Sequence, residues 1–131
     1  MFGFEETLIA KAMQDFEAAK LILKRKTKDT YLHSASFHLQ YAIELAIRHG
    51  LEFHKVEYTP VHNISALLSE VEKAGIDIGL TEAIYKHRDK FIVWKSMPCI
   101  TDFCVEPERL DTALQEIQCF LQSVSDCCKE K

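Results

Sequence analysis

"HLQYAIELAIRHGLEFH", residues 38–54, is the stretch whose reading decides the fold. Leu39, Ala42, Ile43, Leu45, Ala46, Ile47 and Phe53 join Tyr31, Leu32 and Ala35 upstream in an apolar arc with helical spacing. The arc covers roughly half of the helix circumference, more than the surface helix of a monomer needs. Residues 31–53 are therefore expected to form a central helix, packed between neighbours or shared with a second subunit. His38, Gln40, Glu44, Arg48, His49 and His54 are threaded through it.

The flanking segments repeat the helical pattern. Upstream, Phe4, Leu8, Ile9, Ala12, Phe16, Ala19, Ile22 and Leu23 make one apolar face and predict a helix over residues 4–25. "KTKDT" breaks it, with Asp29 or Thr30 suited to cap the next helix. Downstream, "HKVEYTP" is a connector. "NISALLSEVEKAG" then predicts a short helix from about residue 63 to 74, capped by Asn63 and stopped by Gly75. A fourth helix is expected from residue 78 or 81 to 95, followed by the loop "SMPCITDFCVEP". The last is expected from Pro107, favourable at the first helical position, to about residue 125. With four glycines, three prolines and no strong alternating run, the chain reads as all-α. The fold expected is an up-down-up-down four-helix bundle with a short additional helix, one domain over residues 1–131.

Composition narrows the function. An apolar share of 47%, a charged share of 27% and a net charge of −4 describe an ordinary globular protein. That balance disfavours non-specific nucleic-acid binding, which needs clustered cations on phosphates. Lys24, Arg25, Lys26 and Lys28 suit a helix C-terminus better than a nucleic-acid patch. No run approaches the ~18 apolar residues of a membrane span, and the opening "MFGFEETLIAKAM" lacks the order of a signal peptide. A cytoplasmic chain without membrane association is expected. Five cysteines, at positions 99, 104, 119, 127 and 128, fit reduced thiols better than a disulfide framework. Cys127 and Cys128 are expected to be exposed. No metal site and no cofactor is expected: no CxxC spacing occurs, and His33/His38 and His49/His54 are each five apart, on divergent helix faces.

Several polar residues fall in apolar surroundings. Asp15 interrupts the first helix's arc, His38 and His49 lie in that of the second, and Arg88 projects among Leu80, Ile84, Tyr85, Phe91 and Ile92. A buried, unpaired charge costs several kcal/mol. These groups should therefore pair, as Asp15–Arg88 or Asp15–histidine, or line a ligand or dimer cleft. His33, Gln40, Glu44 and Arg48 form a separate strip in which Glu44 and Arg48 read as a surface ion pair. No HExxH, glycine-rich phosphate loop or GxSxG dictates a reaction.

"FHLQYAIELAIRHGL" and "PVHNISALL", residues 60–68, together resemble the HEPN domain, the higher eukaryote and prokaryote nucleotide-binding domain. Phe37, His38, Gln40, Ala42, Ile43 and Glu44 match that family's second-helix pattern "fh.QqAiEkalKa.l". Pro60, His62, Asn63 (for the usual aspartate), Ile64 and Leu67 match "P.tHdL..L". "AMQDFEAAKLIL" is similar to the family's opening "A..DL..A..LL" and puts Asp15 at its acidic position; "WKSMP" is a degraded form of the "tRYP"-like element.

The resemblance implies a helical bundle that commonly dimerises, a nucleotide or RNA ligand, and for small stand-alone members a minimal nucleotidyltransferase partner in a toxin–antitoxin-like module. It also implies, for many members, an endoribonuclease using Arg-x(4–6)-His, the arginine holding phosphate and the histidine moving a proton. Here the chain departs from the pattern. After Arg88 the histidine place holds Val93, Trp94 or Lys95, while Arg48 and His54 have the spacing but stand at the end of the second helix. The leading expectation is a non-catalytic, dimeric member whose cleft carries Asp15, His38, Gln40, Glu44, His62 and Arg88. The alternatives are a metal-independent endoribonuclease toxin, using Arg48 with His54 or Arg88 with His38 or His62, and a structural helical interaction module.

Overall fold

The computed structural model describes residues 7–25, 31–59, 63–86 and 107–129. Among them are five helices and no strand: α1 (Leu8–Arg25), α2 (Tyr31–Phe53), α3 (Ile64–Ala74), α4 (Glu82–Lys86) and α5 (Pro107–Cys127). The all-α expectation is met.

Local chemistry sets the helix ends. Thr7 Oγ1 accepts a hydrogen bond from Ala10 N at 3.1 Å and α1 begins at Leu8; the expected start at Phe4 lies outside the described residues. Asn63 is extended and its side chain accepts from Ala66 N at 3.0 Å, which starts α3. Gly75 ends α3 in the left-handed conformation at φ 65°, its N–H donating to Val71 and Glu72 carbonyls. α2 runs over the expected residues, and α5 continues two residues past the expected end. The segment from residue 76 to 81 is not helical, so α4 starts at Glu82, and the rest of that expected helix lies outside the described residues. So do the proposed caps Asp29 and Thr30.

The core forms around α2. Leu39, Ala42, Ile43, Ala46, Ile47 and Leu51 are completely buried, against Ala12, Phe16 and Ala19 of α1, Leu67 and Leu68 of α3, and Ile117, Phe120 and Val124 of α5. From Ala35 to Leu51 the apolar arc is thus covered by this chain's own helices, while Phe53 stays exposed. α1 and α2 run antiparallel: Asp15 meets His38, positions similarly distant from the connection between the two helices. His49 near the end of α2 meets the carbonyl of Cys128 just beyond α5, so both helices end at one end of the bundle.

That end is tightly packed. A Cβ built on Gly50 of α2 would lie 2.4 Å from Ile78 Cγ2, so only glycine lets the 76–81 segment approach. Gly79, at φ 82°, lies against α5, where Ser123 Oγ donates to its carbonyl at 2.6 Å. Among the described residues, no helix is long and apolar enough to cross a membrane.

Candidate functional site

The expected site residues fall into two groups on α2. Positions 38 and 40 project about 200° apart at ~100° per residue, so His38 and Gln40 serve different faces. On the face toward α1, His38 Nδ1 donates to Asp15 Oδ1 at 2.8 Å, with side chains 35% and 20% exposed. Of the expected partners of Asp15, a histidine is the one found among the described residues, and Arg88 lies outside them. With Nδ1–H held by the carboxylate, Nε2 of the neutral ring is left as an acceptor. Phe37, about half exposed, meets the His38 ring edge-on with centroids 6.3 Å apart.

The second group is a polar seam along α2 with a repeat of four. Glu44 is 0% exposed and Gln40 2%. Gln40 Nε2 donates to Glu44 Oε1 at 3.4 Å, while Gln40 Oε1 is buried with no hydrogen-bond partner among the described residues. The reading of Glu44 and Arg48 as a surface ion pair is therefore corrected: Glu44 lies inside the bundle and Arg48 is half-buried. The i,i+4 spacing was seen correctly. Its depth was not, because burial of that face depends on segments far along the chain.

The seam continues to Glu52, which accepts the Tyr58 hydroxyl at 2.6 Å. Burial pushes the Tyr58 hydroxyl up to about 12, the hydrogen bond and negative charge of Glu52 add to this, and the Arg48 charge opposes it. Tyr58 thus belongs to the seam, and sequence reading missed it. An aromatic residue in a polar connector was its only signal.

Two further histidines, His49 in α2 and His54 just past its end, are held by main chain, while the side chain of His33 lies outside the described residues. His49 Nε2 donates to the Cys128 carbonyl at 2.9 Å, and His54 Nε2 donates to the Asp77 carbonyl at 2.8 Å. Both tie the end of α2 to other elements. His62, Arg88 and His87 lie outside the described residues. Among the described residues, no group of three or more histidines, cysteines or acidic side chains is placed to hold a metal ion.

Gln40 and Glu44, the buried pair, stand at the Q and E of the pattern "fh.QqAiEkalKa.l", and Arg48 stands where that pattern has lysine. The HEPN domain family model matches residues 5–124. The chain belongs to the HEPN domain family. The match runs from before α1 into the last turn of α5, so this chain carries a HEPN domain of all-α fold. No curated protein and no solved structure matches it. Membership associates the chain with nucleotide- or RNA-related function.

Proposed function

We propose that this HEPN protein is non-catalytic and acts as a dimer that binds a nucleotide-like ligand or partners a minimal nucleotidyltransferase in a toxin–antitoxin-like module. The observation carrying this reading is the engagement of His54. In the Arg48–His54 pair, the histidine with the endoribonuclease spacing already spends Nε2–H on the Asp77 carbonyl. That bond gives His54 a packing role at the end of α2. Arg88 supports the same reading, since no histidine follows it five to seven residues on, at Val93, Trp94 or Lys95.

Gln40, Glu44 and Arg48 support binding. A buried amide oxygen with no partner among the described residues and a neighbouring guanidinium put an acceptor and a cation along one seam. The arc from Ala35 to Leu51 does not argue for a dimer, because the chain's own helices cover it. Family membership and the exposed Phe37 and Leu21 support self-association instead. A cytoplasmic location is part of the proposal.

The test is expression of wild-type, Arg48→Ala, His54→Ala and Arg88→Ala chains with RNA cleavage and growth as readouts. Sedimentation and titration with nucleoside mono- and triphosphates accompany it. The proposal expects no cleavage, dimers at micromolar concentration, and nucleotide binding weakened by Arg48→Ala. Cleavage that disappears with His54→Ala would overturn it.

A second reading, a metal-independent endoribonuclease, is favoured by the Asp15–His38 pair. A carboxylate that orients one ring nitrogen and leaves the other accessible suits proton transfer. RNA cleavage by the wild type that is lost in His38→Ala but retained in His54→Ala would select it.

A further inference from the structure

Cys127 and Cys128 differ sharply in their surroundings although they are sequence neighbours. Cys127 closes α5 and is exposed; Cys128 stands in the bend just beyond and is 1% exposed, inside the apolar core. This corrects the expectation that both thiols face solvent. Cys127 also lines an open groove between α5 and the 76–81 segment, beside Asp77, Gly79 and Ser123.

Three hydrogen bonds meet at this pair. The Cys127 thiol donates to the Asp77 carbonyl at 3.4 Å. The Cys128 N–H makes the final helical bond to Val124 O at 2.8 Å. The Cys128 carbonyl accepts from His49 of α2 at 2.9 Å. Burial pushes the Cys128 thiol up to about 12, and the neighbouring Cys127 and the Asp77 carboxylate push the same way. In the closed structure Cys127 is therefore the thiol that meets a reagent first.

We propose that Cys127 and Cys128 form a reversible thiol modification site, which a low-molecular-weight disulfide converts into a vicinal disulfide, releasing the end of α5 from α2. The Cys127 thiolate attacks one sulfur of the small disulfide, forming a mixed disulfide and expelling one small thiolate. The Cys128 thiolate then attacks the Cys127 sulfur, forming the bond between the cysteines and expelling the second small thiolate. Both protein protons end on the released thiols, so the protein loses two electrons and two hydrogens and the reagent gains them.

Geometry says what closure does to the fold. Neighbouring Cα atoms lie about 3.8 Å apart across a trans peptide, closer than the roughly 4.4–6.8 Å of ordinary disulfides. The ring is strained and cannot form within an intact helix end. Closing it draws Cys128 out of the core and breaks its bonds to Val124 and His49. The same strain makes the bond easy to reduce, as a reversible modification requires. Cys119 cannot substitute for either partner. It stands eight residues before Cys127, about 12 Å along the helix at 1.5 Å per residue.

The experiment treats the full chain with glutathione disulfide, blocks the remaining thiols and maps the peptides by mass. Amide hydrogen exchange is measured in parallel. The expected product lacks two hydrogens at Cys127–Cys128, carries no glutathione there, and reverts with dithiothreitol. Exchange at Cys128 and across residues 76–81 should quicken by about tenfold or more as the local contacts are lost. In Cys128→Ala, whose side chain is small and apolar, glutathione should remain on Cys127; in Cys127→Ser, Cys128 should stay unmodified. A glutathione adduct persisting on wild-type Cys127, disulfide-linked pairs of chains, or an unreacted Cys127 would each overturn the proposal. If either variant does not fold, the wild-type peptide map decides alone.

Discussion

Asp15 and His38, 23 residues apart in sequence, join α1 to α2 through a 2.8 Å carboxylate–imidazole hydrogen bond. The contact sits at the rim of the core, above Ala12, Phe16 and Leu39, and pins the phase of one helix against the other. Truncating either side chain should destabilise the fold by about 1 kcal/mol, the low end for a bond to a charged group because the pair is partly solvated. A double-mutant cycle with Asp15→Ala and His38→Ala should give a coupling energy of about 0.5–1.5 kcal/mol. Additive losses would show that the contact contributes nothing specific.

Glu44 should be far more sensitive. Its carboxylate is wholly buried and receives Gln40 Nε2, so Glu44→Ala leaves a cavity and strands a buried donor. A loss of about 2–4 kcal/mol is expected, with a lower denaturant midpoint and an unchanged slope. Glu44→Gln keeps the volume and an acceptor and should cost less. A near-neutral Glu44→Ala would place this side chain in water.

Gly50 is a steric site. Gly50→Ala puts a methyl group 2.4 Å from Ile78 Cγ2, so either the 76–81 segment moves or α2 does. The expected cost is about 1–3 kcal/mol, as for other overpacked cores. Adding Ile78→Ala should recover only part of it, because Cγ2 is removed while the Cβ at position 78 remains 2.6 Å from the new methyl group. If Gly50→Ala melts at the wild-type temperature, the close approach is not required.

Tyr58 should make stability fall in alkali. Its hydroxyl is held protonated to about 12 in the fold, against 10.0 for the free side chain. Between those values the unfolded chain releases the proton that the native chain keeps. The Tyr58–Glu52 contribution is therefore complete below pH 10 and lost as pH approaches 12. Spectrophotometric titration should find one tyrosine ionising late in the wild type and nearer its ordinary range in Glu52→Gln. A late tyrosine that is indifferent to Glu52→Gln would assign the effect to burial alone.

Much of this fold was legible because helix signals are local. Asn63 and Gly75 bracket α3 within a single segment, and Pro107 opens α5. The ends of α2 followed from its apolar repeat. The start of α4 was harder to read: residues 76–81 pack against α2 and α5 without forming a helix, so α4 begins only at Glu82. The site was less legible. Asp15 and His38 were recognisable as polar groups needing partners, yet their pairing depends on the relative rotation of two helices. Glu44 was identified as a candidate, but its spacing to Arg48 reads the same on a surface as in a core.

Helical class, the central place of residues 31–53, the caps of α3 and the likeness to HEPN domains all follow from residues within a few positions of one another. Backbone dihedrals and i,i+4 neighbours are short-range quantities, so the chain states them directly. The contacts of His49 with Cys128, Ser123 with Gly79 and His54 with Asp77 join positions 79, 44 and 23 residues apart. They exist because close packing brings α2, α5 and the 76–81 segment to one end of the bundle. That packing buries Glu44 and divides Cys127 from Cys128. The stretch "HLQYAIELAIRHGLEFH" announces a central helix, and its three-dimensional neighbours assign His38 to Asp15, His49 and His54 to main-chain carbonyls, and Glu44 to the interior.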